Sequence, residues 1–188
     1  DSPINNSIRT LRSLGLKVHY GHWLITGKPK IILFDIDSVH NQIDAIKGRI
    51  WENHKISTLG VEELVNQTIA FGEMIRLFIT ELALENKSKK EIIVHFHEWM
   101  ASTCLPDLRK DKVKISTVFT THATMLGRYL AGNVPNFYEV IDQFDWLKEA
   151  KHYGIEAQVS FERAAAQKAN VLTTVSDITA KECQYFLG

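Results

Sequence analysis

The chain has 188 residues, enough for one domain with its own core, and its 45% hydrophobic and 23% charged residues are the balance of a globular protein. Lys plus Arg and Asp plus Glu both number 22, so the formal net charge is zero. That argues against non-specific binding to nucleic acid or a membrane surface, since both rest on surplus basic charge.

The two cysteines, Cys104 and Cys183, each stand alone in their segments, which suits a reducing compartment and forms no metal-site spacing. The longest apolar runs, such as Ile31 to Phe34, have strand length, and the N-terminus lacks the basic-then-apolar pattern of a signal peptide. The expected location is the cytoplasm. The chain opens without an initiator Met and stops at Gly188, just after a helical pattern, so it is expected to be a single domain, 1–188, cut from something longer at both ends.

Taken in chain order, Ile8 to Leu14 has a helical pattern that Gly15 would end. Lys17 to Ile25 alternates with β-branched and aromatic residues, Thr26 to Pro29 is a turn, and Ile31 to Ile36 is a short apolar strand. Val39 to Trp51 and Val61 to Leu84 read as helices, with Leu64, Thr68, Phe71, Ile75, Phe78, Ile79 and Leu82 as the buried stripe of the second. A solvated link follows, ending in the run Lys87 to Lys90. The order then becomes regular: strand Ile92 to Phe96, helix Trp99 to Leu108, strand Ile115 to Thr120, helix Thr124 to Leu130, and an irregular helical stretch from Phe137 to Lys151. Helix Glu156 to Ala169 precedes strand Val171 to Val175, and Ser176 is suited to cap a helix from Ile178 to Phe186. Strands alternating with helices in this way specify an α/β, Rossmann-like fold with a mostly parallel sheet and helices on both faces.

In such a sheet, ligands bind beyond the carboxyl ends of the strands. Three strand ends carry unusual residues: His95-Phe96-His97-Glu98-Trp99, Thr120-Thr121-His122-Ala123-Thr124 with Arg128 following, and Thr173 to Ser176. His95 and His97 lie two apart on a strand and therefore on one face; they read either as packed histidines, as a polar substrate contact or as the start of a zinc site. Glu98, one step beyond, is expected on the other face. His122 should emerge where strand becomes helix, there to donate to a hydroxyl, with the amides of the following helix facing an anion. Arg128, six residues on, meets it only if His122 lies in the loop before the helix begins; a guanidinium there suits a phosphate or carboxylate. Trp99 and Trp23 could stack on sugars or belong to the core, and Glu162-Arg163 reads as a helix-surface pair. No Gly-rich phosphate cradle of the G-x-G-x-x-G or G-x-x-x-x-G-K-[ST] type occurs.

These segments also carry a resemblance. Thr120 to Leu130 (TTHATMLGRYL) is similar to the TTHAT-x-LGRYL signature of animal and fungal glycogen synthases, and His95 to Trp99 matches that family's HFHEW. Glu162 to Ala166, Leu172 to Ser176 and Ile178 to Ala180 match its ERAAA…FTTVS-x-ITA stretch in the same order, and Trp23 to Pro29, Leu33 to Asp35 and Lys47 to Glu52 also fit. The chain departs from the family pattern at His22 and Asp37. The resemblance implies the N-terminal half of a GT-B glycosyltransferase, which passes glucose from UDP-glucose or ADP-glucose to the 4-hydroxyl end of an α-1,4-glucan such as glycogen. It implies no cofactor and no metal. His122 and Arg128 are the expected catalytic residues, at the donor glucose and the phosphate side of the cleft, with His95, His97, Glu98, Trp99 and Thr121 as substrate contacts. The fragment alone is expected to be inactive, and self-association is left open. Two other readings stand beside this one: a metal-dependent hydrolase built on His95, His97 and His122, and a non-catalytic carbohydrate-binding or interaction domain.

Overall fold

A computed structural model describes residues 2–86 and 90–188; Lys87 to Lys89, and with them most of the expected solvated link, lie outside the described residues. Helix α1 (Pro3–Ser13) starts five residues before the apolar pattern suggests. Pro3 pre-sets the first turn and the Ser2 hydroxyl accepts from Asn5 N at 3.3 Å. Gly15, at φ +84°, turns the chain out of the helix. Strands β1 (Val18–His22) and β2 (Lys30–Phe34) form an antiparallel hairpin in the register Val18 to Phe34 and His22 to Lys30, closed by Trp23 N donating to Pro29 O at 2.9 Å.

A 3-10 segment, Ile36–Gln42, leads into α2 (Ile43–His54), and α3 (Glu63–Glu85) follows. The buried stripe of α3 differs from the expected one. Thr68, Phe78 and Ile79 are buried as expected, but Leu64 is 49% exposed, and Val65, Ile69, Gly72, Glu73 and Met74 are buried instead. The reason is that α3 packs on α1, α2 and the next two helices, and polar groups serve some of those contacts. Gly72 sits so close to Thr103 that a Cβ would collide with its hydroxyl, and Glu73 is held by two arginines.

That second contact belongs to an ionic cluster joining three helices. Arg49 of α2 pairs with Glu73, and through Nε at 3.1 Å with Asp107; Arg76 Nη2 reaches Glu73 at 2.7 Å; His54 Nε2 lies 2.7 Å from Asp107 Oδ1. Burial alone would raise the Glu73 carboxyl, but hydrogen bonds from Arg76 and Arg49 outweigh it and hold the group below its ordinary range. Burial likewise opposes ionisation of Asp107, yet His54, Arg49 and Asn53 together keep it at about 2.

Strand β3 (Ile93–His97) leads to α4 (Glu98–Ser102) and α5 (Leu105–Lys110), two short helices where one was expected. Pro106 allows a helix to begin at its side but not to run through it, so the chain breaks at Thr103-Cys104. Then come β4 (Ser116–Thr121), α6 (Met125–Asn133), 3-10 turns at Phe137–Glu139 and Ile141–Gln143, α7 (Trp146–His152), α8 (Glu156–Lys168), β5 (Val171–Thr174) and α9 (Asp177–Phe186). Ser176 caps α9 as expected, its hydroxyl accepting from Thr179 N at 3.2 Å.

Strands β3, β4 and β5 form a parallel sheet in the order β3-β4-β5, with His97 beside Thr120 and Thr120 beside Thr173. This is the expected α/β, Rossmann-like arrangement, consistent with one half of a GT-B fold. The helical cover, expected on both faces, lies mainly over one. Phe96, Thr117, Phe119 and Thr121 point into the core, whereas Ile93, His95, His97, Val171 and Thr173 on the opposite face are exposed. Around the covered face a main core of Phe119, Phe161, Leu105, Leu108 and Met74 gathers, and a second cluster of Leu126, Leu130, Phe137 and Phe186 seats α6. Among the described residues no helix is long and apolar enough to cross a membrane.

Candidate functional site

Because β3 and β4 run parallel in register, their carboxyl ends bring the two histidine segments to one sheet edge. His95 and His97 share a face, with ring centroids 4.1 Å apart. His95 Nε2 lies 2.6 Å from Thr120 Oγ1, which lies 2.6 Å from Thr173 Oγ1, so a polar ladder crosses all three strands. His97 Nδ1 reaches His122 Nε2 at 3.2 Å, and both side chains are exposed. One of these nitrogens must donate and the other accept, so the proton on one ring decides which nitrogen of the other accepts.

His122 lies in the loop between β4 and α6, which begins only at Met125. The condition for His122 and Arg128 to converge is therefore met. What joins them is Glu98. Sequence alternation places Glu98 on the opposite face from His97, but the residue is left-handed, φ +65°, and the chain turns there. Its Oε1 accepts from His122 N at 2.9 Å and lies 3.5 Å from Arg128 Nη2. His97, His122, Glu98 and Arg128 thus form one constellation at the ends of β3 and β4.

Two expected substrate contacts lie elsewhere. Trp99 is 6% exposed and belongs to the main core, and Thr121 is fully buried, its hydroxyl donating to Glu162 Oε1 at 2.9 Å. Neither presents its side chain to a ligand. Trp23, 49% exposed, stands on the β1–β2 hairpin rather than at this sheet edge.

The start of α6 is also not the anion cradle expected from its position. Thr124 N donates to Glu182 Oε2 at 3.1 Å, Met125 N to Glu162 Oε2 at 2.8 Å, and Gly127 N to the capping Thr124 Oγ1 at 2.9 Å. Three of the amides at this helix start are thus engaged inside the protein. Positive charge at this edge comes from Arg128, whose side chain is 55% exposed.

Glu162 and Glu182 are the residues that sequence reasoning missed. Glu162 was read as part of a surface pair; it is fully buried, while Arg163 lies over the Trp146 ring at 4.1 Å. A signal existed: Gln158, Phe161, Glu162 and Ala165 are one helical stripe, so Glu162 is a charge set in the apolar face of α8. Burial pushes its carboxyl up to about 7 despite the bonds from Met125 and Thr121, and the charges of Glu98 and Glu182 act in the same direction. A folded value raised from 4.5 to about 7 makes the fold favour the protonated acid. This group's contribution is therefore fully present below pH 4.5 and lost as pH rises through about 7, so ionised Glu162 costs about 3 kcal/mol at high pH. Glu182, 4% exposed, accepts also from Tyr138 Oη at 2.9 Å.

Among the described residues no group of three or more His, Cys, Asp or Glu is arranged to hold a metal ion; His95 is engaged with Thr120, and His97 and His122 with each other. A cavity of about 470 Å³ between the 57–62 loop and the start of α8, lined by Leu59, Glu62, Tyr129, Lys151 and Tyr153, contains none of the constellation.

The family model described as glycogen synthase matches residues 1–188. The chain is 41% identical over 186 residues to glycogen [starch] synthase isoform 2 of Saccharomyces cerevisiae, covering 98% of this chain and 26% of that protein. It is 39% identical over 181 residues to glycogen [starch] synthase of Neurospora crassa, covering 96% and 26%, and 40% identical over 189 residues to the liver glycogen [starch] synthase of Mus musculus, covering 98% and 27%. The chain thus spans about a quarter of the length of the curated relatives it matches. The hydrolase and carbohydrate-binding readings receive no support from these matches. Similar from end to end to these relatives, and folded as one Rossmann-like half with its histidine segments brought to a single sheet edge, the chain belongs to the glycogen synthase family.

Proposed function

We propose that this chain is the N-terminal Rossmann-like domain of a cytoplasmic, retaining glucosyltransferase that moves glucose from a sugar nucleotide, UDP-glucose in the first instance, to the 4-hydroxyl end of an α-1,4-glucan. The observation that carries the reading is the constellation His97–His122–Glu98–Arg128 at the ends of β3 and β4, within a chain that matches the family throughout.

As the glycosidic bond to the nucleotide breaks, negative charge grows on the diphosphate and the sugar becomes oxocarbenium-like. Arg128, fixed through Glu98, supplies a cation for the phosphate side, and its exposed guanidinium can exchange Glu98 for a phosphate oxygen. His122 offers a hydrogen bond to a glucose hydroxyl. When His97 Nδ1–H donates to His122 Nε2, the His122 proton sits on Nδ1. Glu98 holds the His122 backbone, so imidazole and guanidinium are positioned as a pair. The sugar nucleotide is substrate, and the reading calls on no resident cofactor. The remaining half of the cleft comes from the parent protein.

The test is glucose incorporation into glycogen by the full-length parent, given UDP-glucose or ADP-glucose in parallel with EDTA present. Incorporation, with the preferred donor naming the subclass, is expected, and His122→Ala should lose mainly turnover. A folded parent that incorporates from neither donor would overturn the reading.

A further inference from the structure

Seven hydrogen bonds fix the five-residue stretch from Thr121 to Met125, and most end on carboxylates that do not reach the exposed edge. Glu162 receives Thr121 Oγ1 and Met125 N on its two separate oxygens. Glu182 receives Thr124 N and Thr124 Oγ1 on one oxygen, and Tyr138 Oη on the other. Glu98 receives His122 N, Thr179 Oγ1 donates to His122 O at 3.2 Å, and Gly127 N closes the cap on Thr124. The loop is thus gripped from α4, α8 and α9 at once, and its one exposed side chain with acid–base chemistry is His122.

An apolar residue at 162 or 182 would suit these buried sites better on solvation grounds alone, because a buried carboxylate is costly unless fully bonded. Each oxygen of both carboxylates is bonded, and all of these bonds but the one from Tyr138 are directed at one loop.

We propose that Glu162 and Glu182 are positioning residues for the glucosyl transfer. Acting through the backbone of residues 121–127, they set His122 and Arg128 relative to the donor sugar. The inference rests on the function proposed above and adds to it two residues that touch no substrate. It also explains why three amides at the start of α6 are engaged: donors used to anchor the loop are not available for phosphate, so the cationic role falls to Arg128.

The chemistry of the anchor predicts what a substitution does. A carboxylate accepts from Met125 N and Thr121 Oγ1 together; Glu162→Gln keeps an oxygen for Met125 N and turns an NH2 to the Thr121 hydroxyl, which can accept, whereas Glu162→Leu leaves both donors without an acceptor. The loop then shifts rather than unfolds. Displacements of about 1 Å in positioned groups cost on the order of a hundredfold in rate.

The experiment uses the full-length parent. Its glucose incorporation is measured first; failure there defeats the function and not the anchoring. E162L and E182L, with E162Q as the conservative control, are then compared with the unsubstituted protein for kcat, donor binding, melting midpoint and hydrogen exchange of the peptide spanning 121–128. The expected result for each leucine variant is a kcat lowered about ten- to hundredfold, donor affinity within about threefold and faster exchange confined to that peptide, with E162Q keeping most of the turnover. Should E162L fail to fold, Thr121→Val removes one donor and leaves the carboxylate, and Thr121→Ser must restore turnover. A leucine-variant kcat within twofold of the parent, or a loss of kcat that comes only with faster exchange across the whole core, would overturn the proposal; the exchange result decides the anchoring even where no activity is found.

Discussion

Asp107→Asn is the sharpest test of the ionic cluster that joins α2, α3 and α5. The Asp107 carboxylate is 4% exposed and bonded through both oxygens, to Arg49 Nε at 3.1 Å, His54 Nε2 at 2.7 Å and Asn53 Nδ2 at 3.3 Å. Its folded value of about 2 against an ordinary 3.8 corresponds to about 2.4 kcal/mol of stability. Arg49 is 33% exposed, and screening there brings the figure to about 2 kcal/mol. A depressed carboxyl stabilises above its unfolded value, so the contribution is full above about pH 5, falls to about half near pH 3 and disappears below pH 2. Asparagine keeps the shape and loses the charge. For a chain of this size the loss lowers the melting midpoint by about 4–8 °C at pH 7. Thermal unfolding followed by circular dichroism from pH 7 down to pH 3 reads this directly: the gap between the two proteins narrows as pH falls. An unchanged midpoint at pH 7, or a gap as wide at pH 3, would refute the account.

Gly127→Ala would drive a Cβ against the Glu182 carboxylate and to 2.5 Å from Thr124 Oγ1; it is expected to cost about 1–3 kcal/mol, read from the same melt. The thiol of Cys104 is pushed far up by burial, and that of Cys183 to about 12, by burial first and then by Glu162 and Glu182. Neither should react with iodoacetamide at pH 8 in the native chain, and both should react in denaturant; rapid native labelling would contradict the packing. Glu98→Gln in the full-length parent can still accept from His122 N but no longer neutralises Arg128. Turnover should fall about tenfold or more with little change in stability, and a parent-like kcat would remove Glu98 from the constellation.

The alternation of strands and helices that builds the parallel sheet was legible because β-branched and apolar runs alternate with helical periodicity, and that signal survives without tertiary knowledge. The histidine segments were legible for the same reason: strand ends fix where βα loops emerge. Glu162 was not, because a charged residue on a helix reads as solvated unless the apolar stripe around it is traced first. Glu98 was misplaced because alternation assumes extended backbone, and one left-handed residue re-aims a side chain without leaving any mark in the composition. The phase of α3 slipped because it is surrounded on several sides, so burial there follows Gly72 and Glu73 as much as its aliphatic residues.

The left-handed backbone at Glu98 sets function and an unstrained chain against each other at a single residue. A glutamate held at φ +65° carries roughly 1 kcal/mol of strain that glycine would not. Glu98→Gly would relieve that strain but lose the bond from His122 N, so the fold would change little in stability while the tie between His122 and Arg128 would be cut. A library of variants sorted first by thermal resistance and then by turnover should divide at this position, with glycine tolerated in the first sort and vanishing in the second.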